Sequence, residues 1–135
     1  MVTGGPELES SDLHVRLAAV PDSVPEARWR VCRWCECSGV CERTRCNLQL
    51  AVTEAAANVV LHAYPAGRQG GFWLDLCRDE DAVLLEVSDE GVGPSGAVPS
   101  SGAGLGLVII GRMFPGFTLA EAQPGTRLTI RAPAA

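Results

Sequence analysis

No run of eighteen apolar residues occurs in this 135-residue chain, and Met1 to Asp12 has neither a basic stretch nor an apolar one. The sequence therefore predicts neither a membrane-spanning helix nor a secretory leader, and a cytoplasmic location is expected. Positive charge is also scarce: Lys and Arg total 11 against 16 Asp and Glu, a formal net charge of -5. Duplex binding needs a basic face that neutralises phosphates, so proteins and small molecules are the expected partners and nucleic acid is not. Gly-Lys-Ser/Thr is absent too, which rules out a Walker-type phosphate loop.

The apolar content of 47% is enough to bury one sizeable core at this length. Residues 1–11, rich in Gly, Ser and acids, are expected to be a disordered lead, with a single domain over 12–133. Leu13 to Val20 alternates as a strand does. Ser23-Val24-Pro25-Glu26 has the form of a capping box with Ser23 as N-cap, predicting a helix from Val24 to Glu36. Ser38-Gly39 breaks it, and a second, longer helix is expected from near Thr44 until Pro65 stops it. GGFWLDLCRD and AVLLEVSD, joined by Glu80-Asp81, read as an antiparallel strand pair in the middle of a sheet. Gly91 to Gly106 holds six glycines and two prolines in sixteen residues, too many for regular structure. A third helix over Leu105 to Met113 and two last strands, GFTLAEA and TRLTIRA, complete the pattern. The expected architecture is a two-layer α/β (α+β) sandwich, a mixed, mostly antiparallel sheet with about three helices on one face.

Four short constellations stand along this framework. Glu54 and Asn58 lie four residues apart on the second helix and so project from one side, a carboxylate one turn from a carboxamide. The Asn oxygen is a hard neutral donor suited to Mg²⁺, and the Glu can take a proton from a hydroxyl or order a water. Asp89-Glu90-Gly91-Val92-Gly93 follows a strand, placing an acceptor at the strand end with glycines that let the backbone turn under a flat ring. Gly102-Ala103-Gly104-Leu105-Gly106-Leu107 opens a helix, whose free amides and positive end suit a polyphosphate. Pro124-Gly125-Thr126 precedes the last strand. Each alone has an ordinary alternative: a solvated helix face, a plain turn or a glycine linker.

In order and spacing these four resemble the N, G1, G2 and G3 boxes of the GHKL (Bergerat-fold) ATPases, over roughly Leu13 to Ala132. Within that superfamily EAAANVVLHAY, with Glu54, Asn58, His62 and Tyr64, resembles the N-box of the bacterial anti-sigma-factor serine kinases. The resemblance implies a homodimer that binds ATP and Mg²⁺, sequesters a sigma factor and phosphorylates a serine on a STAS-domain antagonist. It implies that Glu54 is the general base and Asn58 the Mg²⁺ ligand. Asp89 would hold the adenine amino group with Gly91 and Gly93 beneath the ring. Gly102, Gly104, Leu105 and Gly106 would line the phosphates, and Thr126 would lie near the adenine. Arg28 matches a position at which family members present an arginine to a protein partner, and a solvated helix-face charge is its alternative. One departure is a short segment, Pro94 to Ser101, without Lys or Arg, where many relatives carry a lid cation. A non-catalytic ATP-binding partner switch is therefore the alternative function.

Cys32, Cys35, Cys37, Cys41 and Cys46 crowd into fifteen residues, with Cys77 apart on a strand. Packing as small hydrophobes is one reading. A zinc or iron-sulfur site, or a thiol switch near the partner face, is the other.

Overall fold

The computed structural model describes residues 12–65, 68–91, 108–121 and 125–135. Its elements in chain order are β1 (Leu13–Ala18), α1 (Ser23–Cys37), α2 (Glu42–Asn58), a π-helical turn (Val59–Ala63), β2 (Gly71–Asp79), β3 (Ala82–Asp89), the helical segment α3 at 108–113, β4 (Thr118–Glu121) and β5 (Thr126–Pro133). The strands form one sheet in the order β1-β2-β3-β5-β4. Every pairing among the described residues is antiparallel, in line with the mostly antiparallel sheet expected. β3 is the central strand, and the chain returns from it through α3 to the far edge before β5 fills the gap.

Side-chain alternation decides which face the helices cover. Phe72, Leu74 and Leu76 on β2, Val83, Leu85 and Val87 on β3, and Leu128, Ile130 and Ala132 on β5 are all buried. Their period of two puts them on one side of the sheet. Against them α1 turns Ala27, Val31 and Cys35, and α2 turns Leu48, Val52, Ala55, Ala56 and, beyond its end, Val59. This spacing of three to four residues is that of a core-facing helical stripe. Burying each large aliphatic or aromatic side chain contributes about 1.5–3 kcal/mol, enough to make this layer the main source of cohesion. The opposite face is polar: His14 stacks on Trp73 with ring centroids 4.5 Å apart, and Arg127 and Arg131 reach Glu86 and Asp79 at 3.6 and 3.5 Å. Such exposed pairs contribute little to stability.

Two local expectations are corrected. Ser23 does not cap α1: it is the first helical residue and buried, Asp22 occupies the N-cap position, and no side-chain cap bond forms. The Ser23 amide is already satisfied by the Val20 carbonyl at 2.9 Å, and Glu26 turns outward to Arg30 at 3.0 Å. The tight turn after β1 thus replaces the box. The second helix does not run as a regular α-helix to Pro65 either. Its α-helical part ends at Asn58, and residues 59–63 widen into a π turn before Tyr64 adopts an extended backbone, φ -123° and ψ 135°. Pro65 disfavours the helical conformation for the residue before it, and it has no N–H to continue the ladder.

The β2–β3 hairpin closes through Glu80 and Asp81, with Asp79 paired to Ala82 and Glu80 at φ +55°. A left-handed backbone is strained for most side chains and easier for Asn. Replacing Glu80 by Asn is expected to raise stability by about 0.5 kcal/mol, and replacing it by Ile to lower it by about 1 kcal/mol. Thermal melts of both variants check this, and a shift of the same sign in both would contradict the turn geometry.

Candidate functional site

Asp89 continues the row Val83, Leu85, Val87, so its carboxylate lies on the helix-covered side at the end of the central strand. It is one of three buried polar or charged residues among those described, at 8% exposure. Oδ1 accepts the Gly91 amide at 2.8 Å, and the Thr126 amide also bonds to the carboxylate. Burial nevertheless pushes its pKa above the ordinary carboxylate value, because these bonds only partly replace lost hydration. Thr126 pairs with Asp89 across the β3–β5 ladder and Phe72 pairs with it across β2–β3. Asp89 and Thr126, two of the expected site residues, are thus side by side.

Glu54 and Asn58 lie half-buried on the last turns of α2. One π turn later the Ala63 carbonyl packs directly on Gly91: a Cβ placed on that glycine would come within 2.0 Å of the Ala63 oxygen. No real side chain fits there. The end of the π turn, five residues beyond Asn58 and nine beyond Glu54, is therefore held against the turn that follows Asp89. His62 is half-buried in the π turn itself. Gly93, Gly102, Gly104, Leu105 and Gly106 lie outside the described residues.

Three further residues shape the site: Gly125 and Tyr64, which stand in the fourth and first constellations without an individual role, and Gly70, which stands in none. Gly125 has φ +100°, and a Cβ there would sit 1.8 Å from the Asp89 carbonyl oxygen. Gly70 lies under the Tyr64 ring, so close that a Cβ on it would come within 2.3 Å of the ring atoms. Tyr64 itself donates its hydroxyl to the Gly71 carbonyl at 2.5 Å and accepts the Glu90 amide at 3.1 Å. The sequence signal for this arrangement is weak: an aromatic before a proline, followed by Gly70-Gly71.

Arg28 is exposed on α1, and its Nε donates to the Thr53 hydroxyl of α2 at 3.0 Å. The cysteines are divided between α1, with Cys32, Cys35 and Cys37, the start of α2, with Cys41 and Cys46, and β2, with Cys77. Cys35 is fully buried, and burial pushes its thiol up to about 12. Cys32 is half-buried with Arg45 Nη1 at 3.7 Å, Cys37 and Cys46 are exposed, and Cys41 takes the N-cap position of α2. All six thiols are free. Among the described residues no three His, Cys, Asp or Glu side chains gather to hold a metal ion, and Cys35 packs in the core as a small hydrophobe does. A helix that sends Cys35 into the core sends Cys37, two residues on, to the other side.

The Gly91 contact makes a direct prediction. Gly91→Ala forces either the π turn or the β3 end to move, and overpacking of this kind costs about 1–3 kcal/mol. A fall of several degrees in the thermal midpoint is expected, and a wild-type midpoint would show that the two segments are not in contact.

No helix among the described residues is long and apolar enough to cross a membrane. No curated protein matches the sequence. Among solved structures, the fold matches that of the RsbU and RsbW domains of Rv1364c from Mycobacterium tuberculosis, with a TM-score of 0.72 and 19% identity. That match covers 90% of this chain and 32% of the other, so this chain spans about a third of that one's length. The sequence profile of the histidine kinase-like ATPase domain covers residues 17–132, from the first strand to the last, and takes in the α2 segment, Asp89 with its turn, and Thr126. An antiparallel sheet with helices on one face, and an acidic strand end whose following turn packs on the π turn beyond α2, are thus the framework of a member of the histidine kinase-like ATPase domain family, to which this chain belongs.

Proposed function

We propose that the chain binds ATP with Mg²⁺ and acts as an anti-sigma-type protein serine kinase, sequestering a sigma factor and phosphorylating a serine on a STAS-domain antagonist. The observation that carries the nucleotide reading is Asp89, a buried acceptor between Phe72 and Thr126 and beside the end of the Glu54–Asn58 segment. Support for the kinase and partner reading comes from the EAAANVVLHAY run and from the fold shared with a chain described by its RsbW domain. A cytoplasmic homodimer without membrane or nucleic-acid contact belongs to the same reading.

The residues fit a purine nucleotide. Oδ1 of Asp89 is taken by the Gly91 amide, so the carboxylate direction is set while acceptor capacity remains for an exocyclic amino group. The Ala63 carbonyl packed on Gly91 keeps that position free of a side chain, and Gly91 and Gly93 would lie beneath the adenine ring. Thr126 offers its hydroxyl on the same side. Gly102, Gly104, Leu105 and Gly106 would offer amides to the phosphates, and Asn58 would hold Mg²⁺ through its carboxamide oxygen. Bound MgATP supplies the phosphoryl group and neutralises much of its charge. Glu54 accepts the serine hydroxyl proton, and the remaining contribution of the chain is positioning and electrostatics.

A second reading, an ATP-binding partner switch without turnover, rests on one observation. The chain contains no lysine at all, and residues 94–101 contain no arginine, so that segment offers no cation to the terminal phosphate. Binding is less sensitive to that loss than transfer is.

Incubation with labelled ATP, Mg²⁺ and STAS-domain candidates separates the two. Serine labelling is expected in the wild type and at least 100-fold less in Glu54→Ala, with nucleotide affinity retained, since general-base catalysis contributes about 10²–10⁴-fold. Binding without labelling against any antagonist supports the switch, and a wild type that does not bind ATP overturns the nucleotide reading. Asp89→Asn is expected to abolish binding while its thermal midpoint at neutral pH stays equal or rises.

The pH dependence follows from the raised pKa of Asp89. Its ionised form costs folded stability above the folded pKa, and that cost is relieved as pH falls through it toward the unfolded value. Protonation also removes the acceptor for the amino group. ATP affinity measured by calorimetry is therefore expected to decline on acidification from a pH above the ordinary Asp value of about 4. A decline confined to lower pH would contradict the burial of this group.

A further inference from the structure

We infer that Tyr64 is a positioning residue for base recognition: its hydroxyl fixes the peptide that joins Asp89 to Glu90 and so aims the Asp89 carboxylate. This rests on the reading that Asp89 receives the adenine amino group. The Glu90 N–H of that peptide donates to Tyr64 Oη at 3.1 Å. The carbonyl of the same peptide, on Asp89, faces Gly125, where a Cβ would lie 1.8 Å from it. One peptide plane is therefore held from both ends, by a hydrogen bond on one side and backbone contact on the other.

The carboxylate depends on this plane because its own partner comes just after it. Asp89 Oδ1 accepts from Gly91, two residues along, and a tilt of the intervening peptide carries that amide away. Tyr64 is itself immobilised at both ends. Its backbone is extended ahead of Pro65, its ring lies on Gly70, and its hydroxyl proton goes to the Gly71 carbonyl at 2.5 Å. The hydroxyl thus links the start of β2 to the end of β3, next to the pair Phe72 and Asp89. The ring alone accounts for the packing on Gly70, and only the hydroxyl accounts for the hold on Glu90.

The test is Tyr64→Phe in the full chain, which keeps the ring and removes both hydrogen bonds. Gly70→Ala is the second variant, since it displaces the ring with the hydroxyl intact. Three quantities are read: exchange of the Glu90 amide in the nucleotide-free protein, the affinities for ATP and GTP, and the thermal midpoint. The expected result is Glu90 exchange faster by about tenfold in Tyr64→Phe, for a lost hydrogen bond of ordinary strength. ATP affinity falls by about tenfold while GTP affinity, carried by the phosphates, changes less, so base discrimination narrows. Gly70→Ala moves in the same direction.

Unchanged Glu90 exchange, or unchanged ATP-to-GTP discrimination in a Tyr64→Phe protein whose wild type binds ATP, overturns the inference and leaves the nucleotide reading standing. Equal losses of ATP and GTP that follow a lowered thermal midpoint assign Tyr64 a structural role only, and also overturn it. A wild type that binds neither nucleotide removes the site reading on which the inference rests.

Discussion

The peptide between Asp89 and Glu90 is enclosed so closely that two glycines around it admit no side chain. Gly125 faces its carbonyl, and Gly91, one residue beyond it, abuts the Ala63 carbonyl at the end of the π turn. Backbone packed on backbone at this point brings together segments separated by long stretches of sequence: the end of the α2 segment, the end of β3 and the start of β5. Glycine is required here for the space that a missing Cβ leaves, and at Gly125 for a positive φ as well. The β3–β5 ladder sets Thr126 beside Asp89, and the Gly91 contact ties the turn after Asp89 to the end of the segment that carries Glu54 and Asn58.

A cost is attached to the arrangement. Asp89 is taken out of water at the end of the central strand, and burial raises its pKa because the Gly91 and Thr126 amides only partly replace hydration. Nothing in the core needs a carboxylate there. The aliphatic layer formed by α1, α2 and the inner face of β2, β3 and β5 is large enough to offset that cost.

Much of this arrangement is legible in the amino-acid sequence. The alternation in AVLLEVSD puts Asp89 on the same side as Val83, Leu85 and Val87, and the apolar stripe of the second helix implies a face turned to the sheet. The position of Glu54 and Asn58 one turn apart needs only the helical period. The features that local pattern misses depend on competition between neighbours. Ser23 has every property of an N-cap, yet the turn after β1 satisfies its amide first and draws it into the helix. A helix running up to Pro65 follows from the sequence, but its widening into a π turn does not, because the sequence does not reveal that Tyr64 is held by Gly70, Gly71 and Glu90. The cysteines are a separate case: Cys35 is buried in the core as a small hydrophobe is, with Cys32 and Cys41 near enough to act on its thiol, while Cys37 and Cys46 are exposed.

Local patterns by themselves determined most element types and the buried face of each, since alternation and helical period are properties of a few consecutive side chains. The tertiary structure alone decided the order β1-β2-β3-β5-β4, the contact of Gly91 with Ala63 and the hold of Tyr64 on Glu90. Those depend on backbone groups distant in sequence meeting at close range, and a backbone amide or carbonyl is the same at every position of the chain.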